Sequence, residues 1–552
     1  MSSETTAPAS APSPSTSESP WRADILSGFL VFLIALPLCL GIATASGFPT
    51  LSGIITAIIG GVLVTFLGGA PMTIKGPAAG LIVIALGAIT DFGAVASAQH
   101  LDPSMGYRWA LATITVAGVL QALLGLAKAG KLGDAFPTTV VHGMLAAIGI
   151  IIIAKQSHAV LGVAPTATTP FGLYEELPHS ISVMNPAIFL IGVVSLAVLF
   201  AWPQIKNRTV KKVPAPLVVL LVGIPLGMLL GVSGGDSTHY SFLGHDYTFA
   251  PRHLVTINGT LRDAITFPDF SMITSSLSMR YIVMFTLVGS IESLLSGKAI
   301  EQLDPLRRAS DSNRDLLGVG IGNALAGLLG GLPMIAEIVR SSANLNNGAK
   351  TRMANFFHGL FLLAFVLLAP GLIHLIPSAA LAAMLCYTGT RLASPSELRK
   401  TLAIGSEQLV IFLVTIAGCV GEDLLVGVAL GIATKLVFHV VNGAPVSSLF
   451  SAKPEAKVTG DTATIALHGS AVFSNYLGIK SSIEKQSGQK HVIVDVSDCR
   501  LVDHTVMEHF HELEKLYPEL GRSFHVRGLE THKSLSDHPQ AARKKPGSLV
   551  PA

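Results

Sequence analysis

From residue 25 to residue 442 the chain is a succession of apolar segments, and two of the shortest are interrupted at their start in the same way. The segments fall approximately at 25–46, 51–69, 77–90, 107–127, 138–161, 186–202, 215–232, 279–296, 315–329, 334–345, 354–371, 376–390, 405–420 and 424–442. Several are shorter than the roughly 20 residues a spanning helix needs. Charged residues make up 13% of the chain against roughly 25% in soluble domains, which leaves an all-α polytopic membrane protein as the fold class. The third segment opens on Lys75-Gly76-Pro77-Ala78-Ala79-Gly80 and the tenth on Gly331-Leu332-Pro333. Each is the third element of its half if the chain is divided near residue 250. Matching Gly/Pro interruptions in two halves point to an inverted repeat with a binding site between the broken helices. Seven segments per half, an odd number, make the halves inverted.

The stretch Gly289 to Gly348 carries the charges that an apolar run should not hold. Glu292 sits among Ile, Leu, Val and Phe, where a carboxylate costs roughly 2.5–3.5 kcal/mol unless it is paired, protonated or facing a cavity. Gly289, Glu292 and Ser296 fall at i, i+3 and i+7 on one helix face, so the glycine leaves space beside the carboxylate and the serine offers it a hydroxyl. After Pro333 a short helix is predicted to begin near Met334 and to carry Glu337, Arg340, Ser341 and Ser342. Arg340 reads either as a ligand, with Glu337 one turn away as its partner, or as a basic residue snorkelling from a helix end.

Loop charges support the segment count. Loops after even-numbered segments hold most of the basic residues, among them Lys75, Lys128, Lys131, Arg307, Arg308 and Arg314, whereas loop 162–185 has none and carries Glu175 and Glu176. Arg108 and Arg280 run against this pattern. By the positive-inside rule both chain ends are cytoplasmic and the protein sits in the cell's inner (plasma) membrane. Lys155, in the run GIIIIAKQSHAVLG, reads either as a snorkelling residue or as a functional basic group near the outer face.

Residues 1–21, mostly Ser, Thr, Pro and Ala, read as a disordered tail, and 22–445 as the membrane domain. From 453 to 540 the pattern changes. TATIALHG alternates as a strand, VFSNYLGIKSSIEKQ reads as a helix, KHVIVDVSD as a buried strand, HTVMEHFHELEKLY as an amphipathic helix and RSFHVRG as a further strand. That order implies a small α/β domain, followed by a loose tail at 541–552. Cys39, Cys386, Cys419 and Cys499 have no paired spacing and read as reduced and structural. The net charge of +3 suggests no nucleic-acid partner, and no catalytic triad, phosphate loop or metal-ligand spacing points to an enzyme or a cofactor.

Taken together these residues resemble the SulP (sulfate permease) family of anion transporters. Leu36-Pro37 with Gly47-Phe48-Pro49 looks like the family's opening signature, and Gly76-Pro77-Ala78-Ala79 like its third-span motif. Gly331-Leu332-Pro333 through Arg340 and Asn344, with Gly348 and Thr351, resembles the tenth-span motif, and IVDVSDCRLVDHTVMEH that of a STAS domain. The resemblance implies a seven-plus-seven inverted repeat of fourteen spans. A core domain (spans 1–4 and 8–11) would face a gate domain (spans 5–7 and 12–14), with a cytoplasmic STAS-like domain at the C-terminus and a homodimer as the assembly. It places a small inorganic anion, bicarbonate or sulfate, between the N-termini of half-helices 3 and 10. Carried onto this sequence, the binding residues are Gly76, Pro77, Ala78, Ala79, Ala336, Glu337, Ile338 and Arg340. Glu292-x-x-x-Ser296 stands where sodium-coupled bicarbonate members have Asp-x-x-x-Thr, so Glu292 and Ser296 are the residues for a sodium ion or a proton. Met334, Ile335 and Glu337 stand where the family has small residues, which is expected to change the volume and charge of the pocket.

A proton-coupled dicarboxylate transporter, and a non-transporting membrane sensor or scaffold with a cytoplasmic partner for the STAS-like domain, remain as alternatives. The topology has a direct check. Of cysteines placed at Thr166 and Asp461, only the first should react with a membrane-impermeant thiol reagent applied from outside.

Overall fold

The computed structural model describes residues 20–167, 169–207, 213–232, 239–242, 244–256, 260–306, 308–451 and 453–546. Each apolar segment coincides with a helix: α1 Pro20–Ala45, α2 Thr50–Leu67, α3 Ala79–Ala98, α4 Ser104–Leu126, α5 Thr138–Val160, α6 Pro186–Ala201, α7 Ala215–Leu229, α8 Ser276–Leu303, α9 Ser312–Leu328, α10 Ile338–Asn346, α11 Met353–Leu368, α12 Ser378–Leu392, α13 Ser406–Gly421 and α14 Leu424–Val441. Eight helices of the described residues are long and apolar enough to cross a membrane. Helix α1 starts at Pro20, where proline suits a first turn, and Trp21 packs edge-on against Phe357. The tail expected over 1–21 therefore ends earlier, and its residues 1–19 lie outside the described set, as does Arg307. The segment 162–185, read above as a loop, contains the helix Pro170–Ser182, capped by Thr169. Another surface helix spans Pro395–Ile404.

The long helices sort into two bundles. Helix α4 packs along α9 and α8, and α1 along α2 and α11; α5 packs on α12 and α13, α6 on α7 and α12, and α13 on α14. Small residues allow these backbones to approach, as lipid-embedded helices require. A Cβ on Gly118 would stand 2.2 Å from the Ala324 nitrogen.

Between the helices lies an antiparallel ribbon of two short strands, β1 Ile74–Pro77 and β4 Met334–Glu337, in register from Ile74 opposite Glu337 to Pro77 opposite Met334. The expectation that a helix begins near Met334 is corrected. Residues 334–337 are extended, and α10 begins at Ile338. At membrane depth a broken helix must find other partners for its backbone groups, and here the two broken segments pair with each other. Lys75, counted above as a loop charge, is buried within β1, where its Nζ donates to Asp315 Oδ1 and Oδ2 at 2.8 and 2.7 Å. Arg280, the exception at the other face, pairs with Asp423 at 2.7 Å. Strands β2 His239–Phe242 and β3 His245–Thr248 form a hairpin in the long connection before α8.

The C-terminal unit is a six-stranded sheet of β5 Glu455–Thr459, β6 Thr462–Ala471, β7 His491–Val502, β8 Ser523–Arg527, β9 Lys533–Ser534 and β10 Arg543–Lys544. Strands β6, β7 and β8 run parallel, with helices α15 Tyr476–Lys485 and α16 His504–Glu519 packed through Ile479, Ile483, Val506 and Phe510 onto Ile465, Val492, Val494 and Phe524. The loose tail read over 541–552 is corrected for its first residues. Arg543 and Lys544 pair with Val502 and Leu501, because β8 pairs β7 only over His491–Asp495 and leaves the far part of that edge to cover. Residues 547–552 lie outside the described set.

This unit docks on the membrane helices through a buried charge cluster. Asp503 caps α16 by accepting the Val506 N–H at 2.8 Å, and Lys435 of α14 reaches it at 3.1 Å. His439 Nε2 stands 3.3 Å from the same carboxylate, and Lys435 also donates to Thr505 Oγ1 at 2.5 Å. Burial alone would raise the Asp503 carboxyl, but the Lys435 ammonium and His439 hold it below the usual aspartate range. Its contribution to docking is thus full above that range and fades only as pH falls through the depressed value. Asp503→Asn keeps the shape and leaves a buried ammonium without its counter-charge, a loss of about 3–5 kcal/mol. Hydrogen exchange across β5 and the 443–454 connection should accelerate in this variant, with α1–α13 unaffected.

Candidate functional site

The ribbon fixes where two helices begin. Because β1 and β4 are antiparallel, α3 and α10 leave it at opposite ends, and each presents an N-terminus to the middle of the bundle. First-turn N–H groups have no intrahelical acceptor and carry the positive end of the helix dipole. Two such ends aimed at one region can hold a small anion without a fixed cation.

Both outer edges of the ribbon are closed by side chains from neighbouring helices. The Met334 N–H donates to Asn323 Oδ1 at 2.5 Å, and Asn323 Nδ2 returns a bond to the Met334 carbonyl at 3.1 Å. The Ala336 N–H donates to Ser293 Oγ at 3.1 Å and the Ile74 N–H to Ser341 Oγ at 2.8 Å. Just before β4, the Leu332 N–H donates to Thr56 Oγ1 at 2.7 Å. Helix α2 widens into a π turn over Ile59–Leu63, where Gly60 lies against the Lys75 backbone and a Cβ would stand 2.7 Å from its carbonyl oxygen. Sequence reasoning singled out none of Thr56, Ser293 and Asn323. The signal available was a polar residue inside an apolar segment.

The predicted binding residues divide by exposure. Pro77, Ala78 and Ala336 are buried backbone carriers, and the Ala78 N–H donates to the Pro333 carbonyl at 3.2 Å. Ala79 is half-buried, and its amide faces the Glu337 carboxylate. Ile338, the first residue of α10, is 41% exposed and Val339 is 37% exposed, whereas Arg340 is fully buried. The open face of the α10 N-terminus is therefore apolar. Arg340 points behind the ribbon, where its Nη1 stands 3.4 Å from Cys39 Sγ and where a Cβ on Gly76 would meet it at 2.4 Å. Its Nε and Nη2, Glu337 Oε1 and both ring nitrogens of buried His358 have no hydrogen-bond partner among the described residues. The pairing of Arg340 with Glu337 expected from their spacing does not close. One residue of β4 followed by a new helix turns the two side chains apart.

Glu292 reaches α3. A Cβ on Gly80 would lie 2.1 Å from Glu292 Oε1, so Gly80, and not Gly289, provides the space for the carboxylate. Gly289 faces Gln121, whose Nε2 is 3.0 Å from the position of an added Cβ. Glu292 Oε2 has no hydrogen-bond partner among the described residues, so the expectation that Ser296 offers it a hydroxyl is not met; Ser296 is buried one turn further along α8. Met334, expected to fill the pocket, packs away from it with Val64, Val319 and Ala326, and Ile335 joins the core around Ala78 and Leu81. The carboxylates of Glu292 and Glu337 lie within electrostatic reach of each other beside the α3 N-terminus. Helix ends suited to an anion and carboxylates suited to a cation thus border the same space.

A family model described as the sulfate permease family matches residues 21–415. A putative sulfate transporter, YvdB of Bacillus subtilis, is 27% identical over 76% of this chain and 74% of its own. The bicarbonate transporter BicA of Picosynechococcus sp. is 26% identical over 74% of this chain and 69% of its own. Among solved structures, the overall structure of SLC26A9 superposes with a TM-score of 0.64 at 15% identity, over 92% of this chain and 84% of that one, a likeness of fold.

The polar closure of the ribbon predicts an order of stabilities. Asn323→Ala orphans two backbone groups of Met334, at roughly 1–3 kcal/mol each, and Ser293→Ala orphans one. Thermal unfolding of the purified variants should rank Asn323→Ala well below Ser293→Ala, with both below the parent.

Proposed function

The chain belongs to the sulfate permease family, and we propose that it is a secondary active transporter of a small inorganic anion, bicarbonate or sulfate. The observation that supports this reading is the ribbon, which sets the N-termini of α3 and α10 at the two ends of four residue pairs with Glu292 against Gly80. The anion binds between the helix ends, at Gly76 to Ala79 and at Glu337 and Ile338. Arg340, sealed behind the ribbon, acts through the field it contributes and does not touch the anion. Two carboxylates at this site repel an anion unless a cation travels with it, so Glu292 takes up the coupling sodium ion or proton. A near-neutral cavity is what allows the loaded site to move, because an unpaired charge in surroundings resembling lipid costs several kcal/mol.

In this reading the fourteen helices are fourteen spans, arranged as a seven-plus-seven inverted repeat. The α1–α4 and α8–α11 bundle is the moving core, and α5–α7 with α12–α14 is the gate. The protein lies in the cell membrane as a homodimer with both ends cytoplasmic. Residues 453–546 form a STAS-like domain whose buried contact with Lys435 ties it to the gate.

Uptake of labelled bicarbonate and sulfate into proteoliposomes, under a sodium gradient or a pH gradient, tests the assignment. Glu292→Gln keeps shape and removes the charge, and gradient-driven uptake of the transported anion should fall by about tenfold or more, a barrier increase of about 1.4 kcal/mol or more. Gly80→Ala should give the same phenotype by pushing the carboxylate aside. If Glu292 only packs, both variants keep their uptake per folded molecule and lose thermal stability instead.

A further inference from the structure

A cavity of about 220 Å³ lies between the two bundles at the end of α1, lined by Thr44, Ala45, Lys155, Arg252, His253 and Ser378 among others. It is on the face remote from the C-terminal domain. Helix α1 begins beside Lys350 and Thr351, whose N–H groups donate to Asp24, and α8 ends where Gln302 contacts Glu512 of that domain. The Ala45 end of α1 is therefore at the opposite face.

The charge of this cavity is one-sided. Lys155 and Arg252 are in the wall, and no acidic residue is among the described residues that line it. Lys155 Nζ donates to the Ala45 carbonyl at a long 3.4 Å, and no carboxylate of the described residues pairs with it. His253 adds no counter-charge: its Nε2 bonds the Gly162 carbonyl at 3.2 Å and its Nδ1 accepts the Ala250 N–H at 3.2 Å. Ser378 opens the 15-residue helix α12, whose first two N–H groups, of Ser378 and Ala379, lack intrahelical acceptors, while that of Ala380 donates to the Pro377 carbonyl at 3.0 Å. A half-buried ammonium, an exposed guanidinium and a helix N-terminus around one cavity, with no carboxylate among the described lining residues, call for a negative charge from solution. The volume admits a small anion with part of its water shell, since a water occupies about 30 Å³.

We propose that this cavity is a second anion-binding site, an antechamber in which Lys155, Arg252 and the α12 N-terminus capture a small inorganic anion. Its place on the path to the ribbon rests on the transport reading above; its occupancy by an anion does not. The site is separate from the α3–α10 site, since it is built from the far end of α1 and from gate helices. Arg252 comes from the short turn Pro251–His253 in the connection before α8 and so completes the wall from outside the bundles.

The full chain in nanodiscs, treated with an amine-acylating reagent at constant ionic strength, gives a direct test by peptide mass analysis of Lys155. At least one of sulfate, bicarbonate and chloride should slow acylation of Lys155 about threefold or more, as local anion accumulation predicts. Arg252→Gln should weaken that protection and Glu292→Gln should leave it unchanged. In proteoliposomes Lys155→Gln should raise KM for the transported anion about tenfold, equivalent to about 1.4 kcal/mol, with kcat kept, and Lys155→Arg should restore it. Failure of all three anions to protect Lys155 in the parent protein overturns the proposal. Protection in a protein that transports none of them upholds this site and overturns the transport reading instead.

Discussion

The structure depends on satisfying the backbone of two broken helices at membrane depth. Neither Ile74–Pro77 nor Met334–Glu337 has internal hydrogen bonds, and both strands are buried along their length. Pairing them as an antiparallel ribbon meets half of the demand, and Asn323, Ser293, Ser341 and Thr56 meet much of the rest. These four side chains come from α9, α8, α10 and α2, so the ribbon also ties four helices of one bundle together. The helix ends it positions are consequences of that pairing.

Charge follows the same logic at three depths. Lys75 and Asp315 neutralise each other beneath the ribbon with two short bonds, and Asp315 Oδ1 also accepts the Ala70 N–H at 3.0 Å. Such a pair contributes little net stability but is costly to break, which holds β1 in place relative to α9. Glu292 and Glu337 are left without full pairing at the helix ends, and Lys155 without a counter-ion at the far face. Lys435 with Asp503 extends the pattern to the junction with the C-terminal domain, so that α14 and α16 share one buried cluster.

The order of the chain was legible from its patterning. Apolar period and length located each of the helices α1–α14, although α3 and α8 run eight and seven residues past the apolar segments and the segment at 334 opens as a strand, and the strand readings found β6, β7 and β8. The interruptions at Gly76-Pro77 and Gly331-Pro333 marked the two half-helices, since glycine and proline there have no other role in an apolar run. Short edge strands escaped: β5 is exposed along its length, and β9 and β10 have two residues each, too few for alternation to register. The cost of Glu292 in an apolar helix singled it out in the sequence, and the structure sets its carboxylate against Gly80 at the start of α3.

Which residues meet was decided by tertiary structure. Helical spacing assigned Gly289 and Ser296 to Glu292 because they share its face, but a carboxylate on a packed helix is served by whatever lies opposite, and that is Gly80 from α3. Spacing likewise paired Glu337 with Arg340, but the change from strand to helix between them sends one to the space beside α3 and the other to Cys39. Lys75 read as a loop charge because its acceptor, Asp315, is 240 residues away. Local sequence determined the elements, their breaks and the charges that needed an explanation. Contacts across hundreds of residues determined the partners, because a side chain's environment in a helical bundle is set by the neighbouring helix and not by its own.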